Sequence, residues 1–200
     1  MAATSDIVRS RILDAAVAAI DEGGESSVRV VGVCEAAGVT QGMVRYYFGD
    51  RAGLVAEAKG VRFAQRFGEM LDVFVNASAG CRSERDLRAV IDAFLPRVFS
   101  PERSGRRLER NIDIGGAVDQ ELLARQIAAS RDAVCRELAD VFASMRAKGL
   151  IRKDADVLGA SAFYLAFVHG FSMWELGDST IERELILETF KTALYGILFD

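Results

Sequence analysis

The chain has 200 residues, half of them apolar and 27% charged, with a formal net charge of −4. That composition excludes a disordered chain and a small disulfide-stapled scaffold. The acidic balance excludes indiscriminate binding of nucleic acid, which needs a broad cationic surface to displace counterions. Cys34, Cys81 and Cys135 lack the Cys-x-x-Cys spacing of zinc and redox sites and read as buried thiols in a reducing compartment. The only prolines are Pro96 and Pro101, which favours a mainly helical fold. Asp6, Arg9, Arg11 and Asp14 interrupt the start of the chain, leaving no apolar core of signal-peptide length, so a cytoplasmic protein is expected.

Apolar residues at steps of three and four predict a first amphipathic helix over Asp6 to Ile20, with Ser5 or Asp6 as its cap and Gly23-Gly24 as its stop. A short helix follows from Val28 or Val30 to Ala37, and another opens after Thr40. Beyond Asp50, the pattern Leu54, Ala58, Val61, Ala64, Phe67, Leu71, Phe74 predicts more than six turns ending at Ser78-Ala79-Gly80. Further helices are predicted over Glu84 to Phe99, Arg103 to Ile114 and Val118 to Lys148, then Val157 to Trp174 and Ile181 to Phe199. Val157 to Trp174 carries no Asp, Glu, Lys or Arg, yet Gly159, Ser161, His169, Gly170 and Ser172 interrupt it, so it reads as a helix buried in a core or subunit interface rather than a membrane span.

The most specific constellation is CEAAGVTQGMVRYYF. Two helices crossing near a right angle need a small side chain at the crossing, a glycine of positive φ in the turn, and aliphatic residues locking the second helix down. Cys34, Gly38, and Val33, Val39 and Val44 fill those places, with Thr40 as the cap of the second helix. That helix then offers Gln41, Gly42, Met43, Arg45, Tyr46 and Tyr47 to a major groove. Arginine pairs with guanine, glutamine with adenine, and tyrosine hydroxyls reach phosphates. Arg29 offers a further phosphate contact.

Over Ile12 to Leu54 the chain resembles the TetR family of bacterial transcriptional regulators, in the run from Val33-Cys34 through Ala37-Gly38-Val39-Thr40, Gly42 and Val44 to Phe48, with Arg51 in place of the lysine that opens the fourth helix. Arg45 departs from the family's usual tyrosine, so operator sequence does not carry over. The resemblance implies an all-α protein of about nine helices. Residues 1–52 would form a three-helix DNA-binding domain of helix-turn-helix type, and residues 53–200 a larger effector-binding and dimerisation domain. It further implies a repressor released from double-stranded operator DNA by a small molecule. The assigned DNA-contacting set is Arg29, Thr40, Gln41, Gly42, Met43, Arg45, Tyr46, Tyr47 and Arg51, and the helix from Arg51 toward Ala77 is the candidate lever between the domains.

Two reading heads must meet successive major grooves about 34 to 36 Å apart, which asks for a dimer. The last two helices offer Leu158, Phe163, Phe167, Phe171, Ile186, Phe190, Leu194, Ile197 and Leu198 for a four-helix homodimer bundle. For the effector, composition nominates Phe94, Phe99, Ile114, Phe163, Phe167 and Trp174 as cavity walls, with Asn111, Arg131, Tyr164 or His169 as polar anchors. The lone His169 lies in an apolar run without partners for a metal. No Walker or Rossmann glycine loop, Gly-x-Ser-x-Gly elbow or His-Glu-x-x-His motif occurs, so no enzyme activity, catalytic residue, cofactor or metal is expected. The competing reading is a helical protein-interaction module that uses the Tyr46-Tyr47 face.

Overall fold

The structure, a computed structural model, describes residues 2–199, with side chains over 5–199. Among the described residues there are nine α-helices and no strand: α1 (Ala2–Gly23), α2 (Val30–Ala37), α3 (Gln41–Phe48), α4 (Arg51–Ser78), α5 (Glu84–Val98), α6 (Ser104–Gly116), α7 (Glu121–Ala147), α8 (Val157–Phe171) and α9 (Arg183–Leu198). Single 3-10 turns occupy Glu25–Ser27, Pro101–Arg103 and Ser172–Glu175. The helical class and the helix number agree with the sequence pattern. The chain forms two compact units, one of residues 1–65 with 114–131, the other of residues 66–113 with 132–200.

In the first unit α1 packs against α2, and α2 against α3. Its core gathers Ile12, Ala16, Ile20, Val28, Val33, Val44 and Leu54. The first helix starts at Ala2, not at Asp6, because nothing before Ser5 breaks a helix; Ser5 and Asp6 therefore lie inside α1 and cap nothing. Its Ser5 hydroxyl instead lies 3.1 Å from the Tyr47 hydroxyl. The turn between α2 and α3 works as the spacing predicts. Gly38 takes φ 62°, ψ 45°, the left-handed conformation that side-chain-bearing residues resist, and Val39 N–H reaches back 3.0 Å to the Cys34 carbonyl.

The junction of α3 and α4 depends on a second glycine. Asp50 caps α4, its carboxylate accepting from Gly53 N–H at 2.9 Å. That close turn brings the Phe48 carbonyl against Gly53, where a β-carbon would overlap the carbonyl oxygen. Lys59 and Arg62 then hold α4 to Glu25 and Asp21 at 2.8 and 2.6 Å.

The second unit is capped with equal economy. Ser83 and Asp86 form a reciprocal capping box at the start of α5, and Asp156 accepts from Gly159 N–H at 2.9 Å to start α8. Pro96 is tolerated in the last turn of α5, which ends at Val98. Cys34 is buried, whereas Cys81 and Cys135 are half-buried, a correction to the reading of all three as interior thiols: Cys81 lies in the link between α4 and α5, and Cys135 on a partly exposed face of α7. Arg107 and Glu175 form an ion pair with side chains 3% and 2% exposed, and Arg107 also donates to the carbonyls of Val98 at 2.6 Å and Ser100 at 2.8 Å.

Two glycines of α4 are expected to answer alanine oppositely. Gly53→Ala forces the α3 carboxy end away and costs about 1–3 kcal/mol, while Gly68→Ala, with open space at its β-carbon, raises stability by about 0.5–1 kcal/mol. Urea-denaturation midpoints of the two variants check both signs.

Candidate nucleic-acid interface and apolar cavity

Helix α3 is only eight residues long, and it is held by Val44 and Phe48, both buried. The rest of the helix, Tyr47 apart, faces outward. Gln41, Gly42, Met43, Arg45 and Tyr46 are exposed, Tyr46 to 81%. Thr40 stands at the N-cap with extended backbone, but its side chain makes no cap hydrogen bond. The first amides of α3 therefore stay available to an anion at the positive end of the helix. An open depression lined by Val30, Gln41, Gly42, Arg45, Asp50 and Arg51 borders this face. Arg29, exposed at the N-cap of α2, completes the cations of the turn region.

Two assigned residues differ in kind from the rest. Tyr47 is half-buried, with its hydroxyl on Ser5 and its ring edge-on to Tyr46 at 5.0 Å, so it positions Tyr46 as well as offering itself. Arg51 donates from Nε to the Val28 carbonyl at 2.8 Å and from Nη2 to the Glu25 carbonyl at 2.6 Å. Its guanidinium is thus already spent on the loop that precedes α2. Sequence reasoning did not find Arg11, which donates to the Ala37 carbonyl at the end of α2, or Arg9, which pairs with Glu57 and lies 5.5 Å over the Phe48 ring. No local pattern announces those bonds, because their partners lie 26 to 48 residues away.

The second unit contains an apolar cavity walled by Phe67, Phe74, Phe94, Leu138, Phe142 and Tyr164, among other aliphatic residues. The cavity has a volume of about 50 Å³. Of the ten residues nominated for an effector, Phe94 and Tyr164 line this cavity. Phe99, Phe163 and Phe167 instead pack around Phe190, the Phe167 and Phe190 rings stacked at 3.8 Å. Asn111 donates to the His169 carbonyl at 3.1 Å and to the Ser172 hydroxyl, while its own oxygen lies 3.3 Å from His169 Nδ1. Burial, aided by the Arg110 charge, lowers the His169 pKa to about 4, so the ring is neutral at pH 7. Trp174 is partly exposed in the turn after α8, and Ile114 and Arg131 fall in the first unit.

Residues 12–58 match the family model of bacterial regulatory proteins, tetR family. A crystal structure described as a TetR-family transcriptional regulator from Rhodococcus sp. is 27% identical, covers 96% of this chain and 99% of its own, and superposes with a TM-score of 0.62. The chain is thus similar to TetR-family regulators, in sequence over residues 12–58 and in fold over nearly its whole length. Among curated proteins, the HTH-type transcriptional regulator BetI of Burkholderia thailandensis is 38% identical over 50 residues, 25% of this chain and 26% of BetI, so the match spans about a quarter of that relative. A transcriptional regulator from Saccharomonospora viridis, solved in complex with choline, shares the fold with a TM-score of 0.53 at 15% identity over 96% of this chain and 97% of its own. The TetR-family match covers the segment whose geometry is described above, from the core of α1 to the first turns of α4.

The division of labour between arginines is testable without DNA. Arg51→Met, which loses two bonds from a charged donor, is expected to lower stability by about 1.5–3 kcal/mol. Arg45→Ala, on the exposed face, is expected to stay within about 0.5 kcal/mol of the parent. Chemical denaturation of both variants in parallel gives the comparison.

Proposed function

We propose that this chain is a homodimeric, cytoplasmic DNA-binding transcriptional regulator, a repressor that reads operator DNA with α3 and releases it when a small molecule enters the apolar cavity. The observation that carries the reading is the composition of the exposed α3 face, which presents Gln41, Arg45 and Tyr46 from a helix fixed by Val44, Phe48 and the Gly38 turn. Rigid presentation of base-reading groups is what direct readout requires. Arg29, Thr40 and the first amides of α3 supply phosphate contacts beside it, and Tyr47 and Arg51 act chiefly by holding that surface in place.

Dimerisation has support in α8. The window Val157–Glu175 is long and apolar enough to cross a membrane by composition, yet only a third of it is buried within the chain. Leu158, Ala162, Ala166 and Gly170 fall every four residues and are all exposed, forming a smooth, uncharged stripe. A second copy of the stripe covers it with close backbone approach. Of the nine residues nominated for that interface, Phe171, Phe190, Leu194 and Leu198 are buried inside the chain, Phe163, Phe167, Ile186 and Ile197 are half-buried, and Leu158 is exposed. The four buried ones lie on the inward faces of α8 and α9, which pack on each other.

The effector acts by differential affinity. It must bind the DNA-incompetent form better than the competent one, and that difference caps the response. The cavity is apolar, which suits such a ligand site.

Selection of bound sites from random duplex, followed by gel-shift titration, tests the reading; a palindromic winner is expected. Arg45→Ala should cost about 1–3 kcal/mol at one operator position, and equal losses on specific and random DNA would move Arg45 to a phosphate contact. Ala166→Arg should turn a sedimenting dimer into a monomer and weaken operator binding. Enrichment of no duplex at all would leave the protein-interaction module.

A further inference from the structure

The apolar cavity shares Phe67, Met70 and Tyr164 with a smaller recess whose remaining walls are chiefly arginine. Arg66, Arg103, Arg106, Arg107 and Arg110 all border it. Three of them have carboxylates: Arg66 pairs with Glu109 at 2.8 Å, Arg106 with Glu69 at 3.3 Å, and Arg107 with the buried Glu175, which also meets Arg183 at 3.4 Å. No carboxylate among the described residues pairs with Arg103 or Arg110.

Arg110 carries the argument. It is 8% exposed, its Nε has no hydrogen-bond partner, and its guanidinium carbon lies 4.6 Å from the Phe67 ring centroid. Burial lowers its pKa to about 10; Tyr164 opposes that shift, while Arg107, Arg66 and Arg103 add to it. A cation buried among like charges costs stability unless an anion completes it, and a face-on aromatic ring compensates only in part. The missing partner is therefore an anion that reaches Arg110 through the recess, with an apolar remainder that fits the adjoining aromatic walls. The recess is small, about 20 Å³. The two oxygens of a carboxylate are what a guanidinium fork grips in parallel.

We propose that the effector is a hydrophobic carboxylic acid, its carboxylate held by Arg110 and Arg103 and its alkyl or aryl body lying among Phe67, Phe74, Phe94 and Leu138. The proposal rests on reading the cavity as the effector site, and supplies the chemistry that the reading leaves open. A regulator of this kind answers to reactions that produce or consume free apolar acids.

The test is calorimetric titration of the full chain at pH 7.5 with straight-chain acids from butanoic to dodecanoic acid, ω-phenyl acids of similar length, and the primary amide of each. The best acid is expected to bind at least about tenfold more tightly than its amide, since a charged hydrogen-bond pair is lost in the amide. Arg110→Met should abolish that preference while melting no lower than the parent, because it removes a buried uncompensated charge. Leu138→Trp, which fills the cavity, should abolish binding of acids and amides alike. Equal affinity for acid and amide, blocked by Leu138→Trp, would overturn the acid proposal and leave the effector site standing. Acid preference retained in a folded Arg110→Met would likewise overturn it. Binding unaffected by Leu138→Trp, or no saturable binding by any member of the series, would overturn both.

Discussion

A chain that ends one helix and begins the next within three residues must settle its orphan carbonyls before it can present anything to a partner. Here Gly38 makes the reversal sterically affordable, and Arg11 donates to the Ala37 carbonyl that the end of α2 leaves open. Arg51 does the same for Glu25 and Val28 on the approach to α2. With those groups satisfied, Val44 and Phe48 can seat α3 on the core of the first unit, and the helix needs no stability of its own. Eight residues are too few for an isolated helix to persist in water. The rigidity of the α3 face is thus borrowed from a turn and two distant guanidinium groups.

The same residue type serves three different ends. Arg11, Arg51 and Arg107 saturate backbone carbonyls, and Lys59 and Arg62 fasten α4 to acidic residues of α1 and its following turn. Arg45 and Arg29 are left on the surface at α3 and at the start of α2. Arg110 belongs to neither group: it is buried, lacks a carboxylate, and is tolerated with the help of a phenylalanine ring. Composition counts all of these alike, and only burial and partners separate them.

That is also where the sequence stops being legible. Helix periodicity and the spacing from Cys34 to Phe48 located every helix to within a few residues and picked out Gln41, Gly42, Met43, Arg45 and Tyr46 as the exposed positions of α3, because those features depend on neighbours in the chain. They did not single out Tyr47 as half-buried. Arg51 was read as a contact because its register matches a motif position, yet the carbonyls it serves are 23 and 26 residues away. The aromatic residues nominated for a cavity split between cavity and core for a similar reason. Phe94 and Phe99 sit on one helical stretch, but one turn of difference sends Phe94 to the cavity and Phe99 to the ring cluster around Phe190. Gly53 gave no signal at all, since only the approach of the Phe48 carbonyl shows why a side chain is excluded there.

Three helices begin in one compact unit and end in the other: α4 passes between residues 65 and 66, α6 between 113 and 114, and α7 between 131 and 132. Phe67, Arg110 and Val134, one from each of these helices, border the cavity or its arginine recess within about one helical turn of those points. A ligand that moved any of the three side chains would act on backbone continuous with the first unit. Such a ligand shifts the DNA-binding form only to the extent that its affinity differs between the two forms. A charged group on Arg110 is well suited to that difference, because the strength of a buried ion pair changes steeply with the distance and dielectric that a small helix displacement alters. An apolar contact, being non-directional and spread over area, discriminates less between two nearby packings.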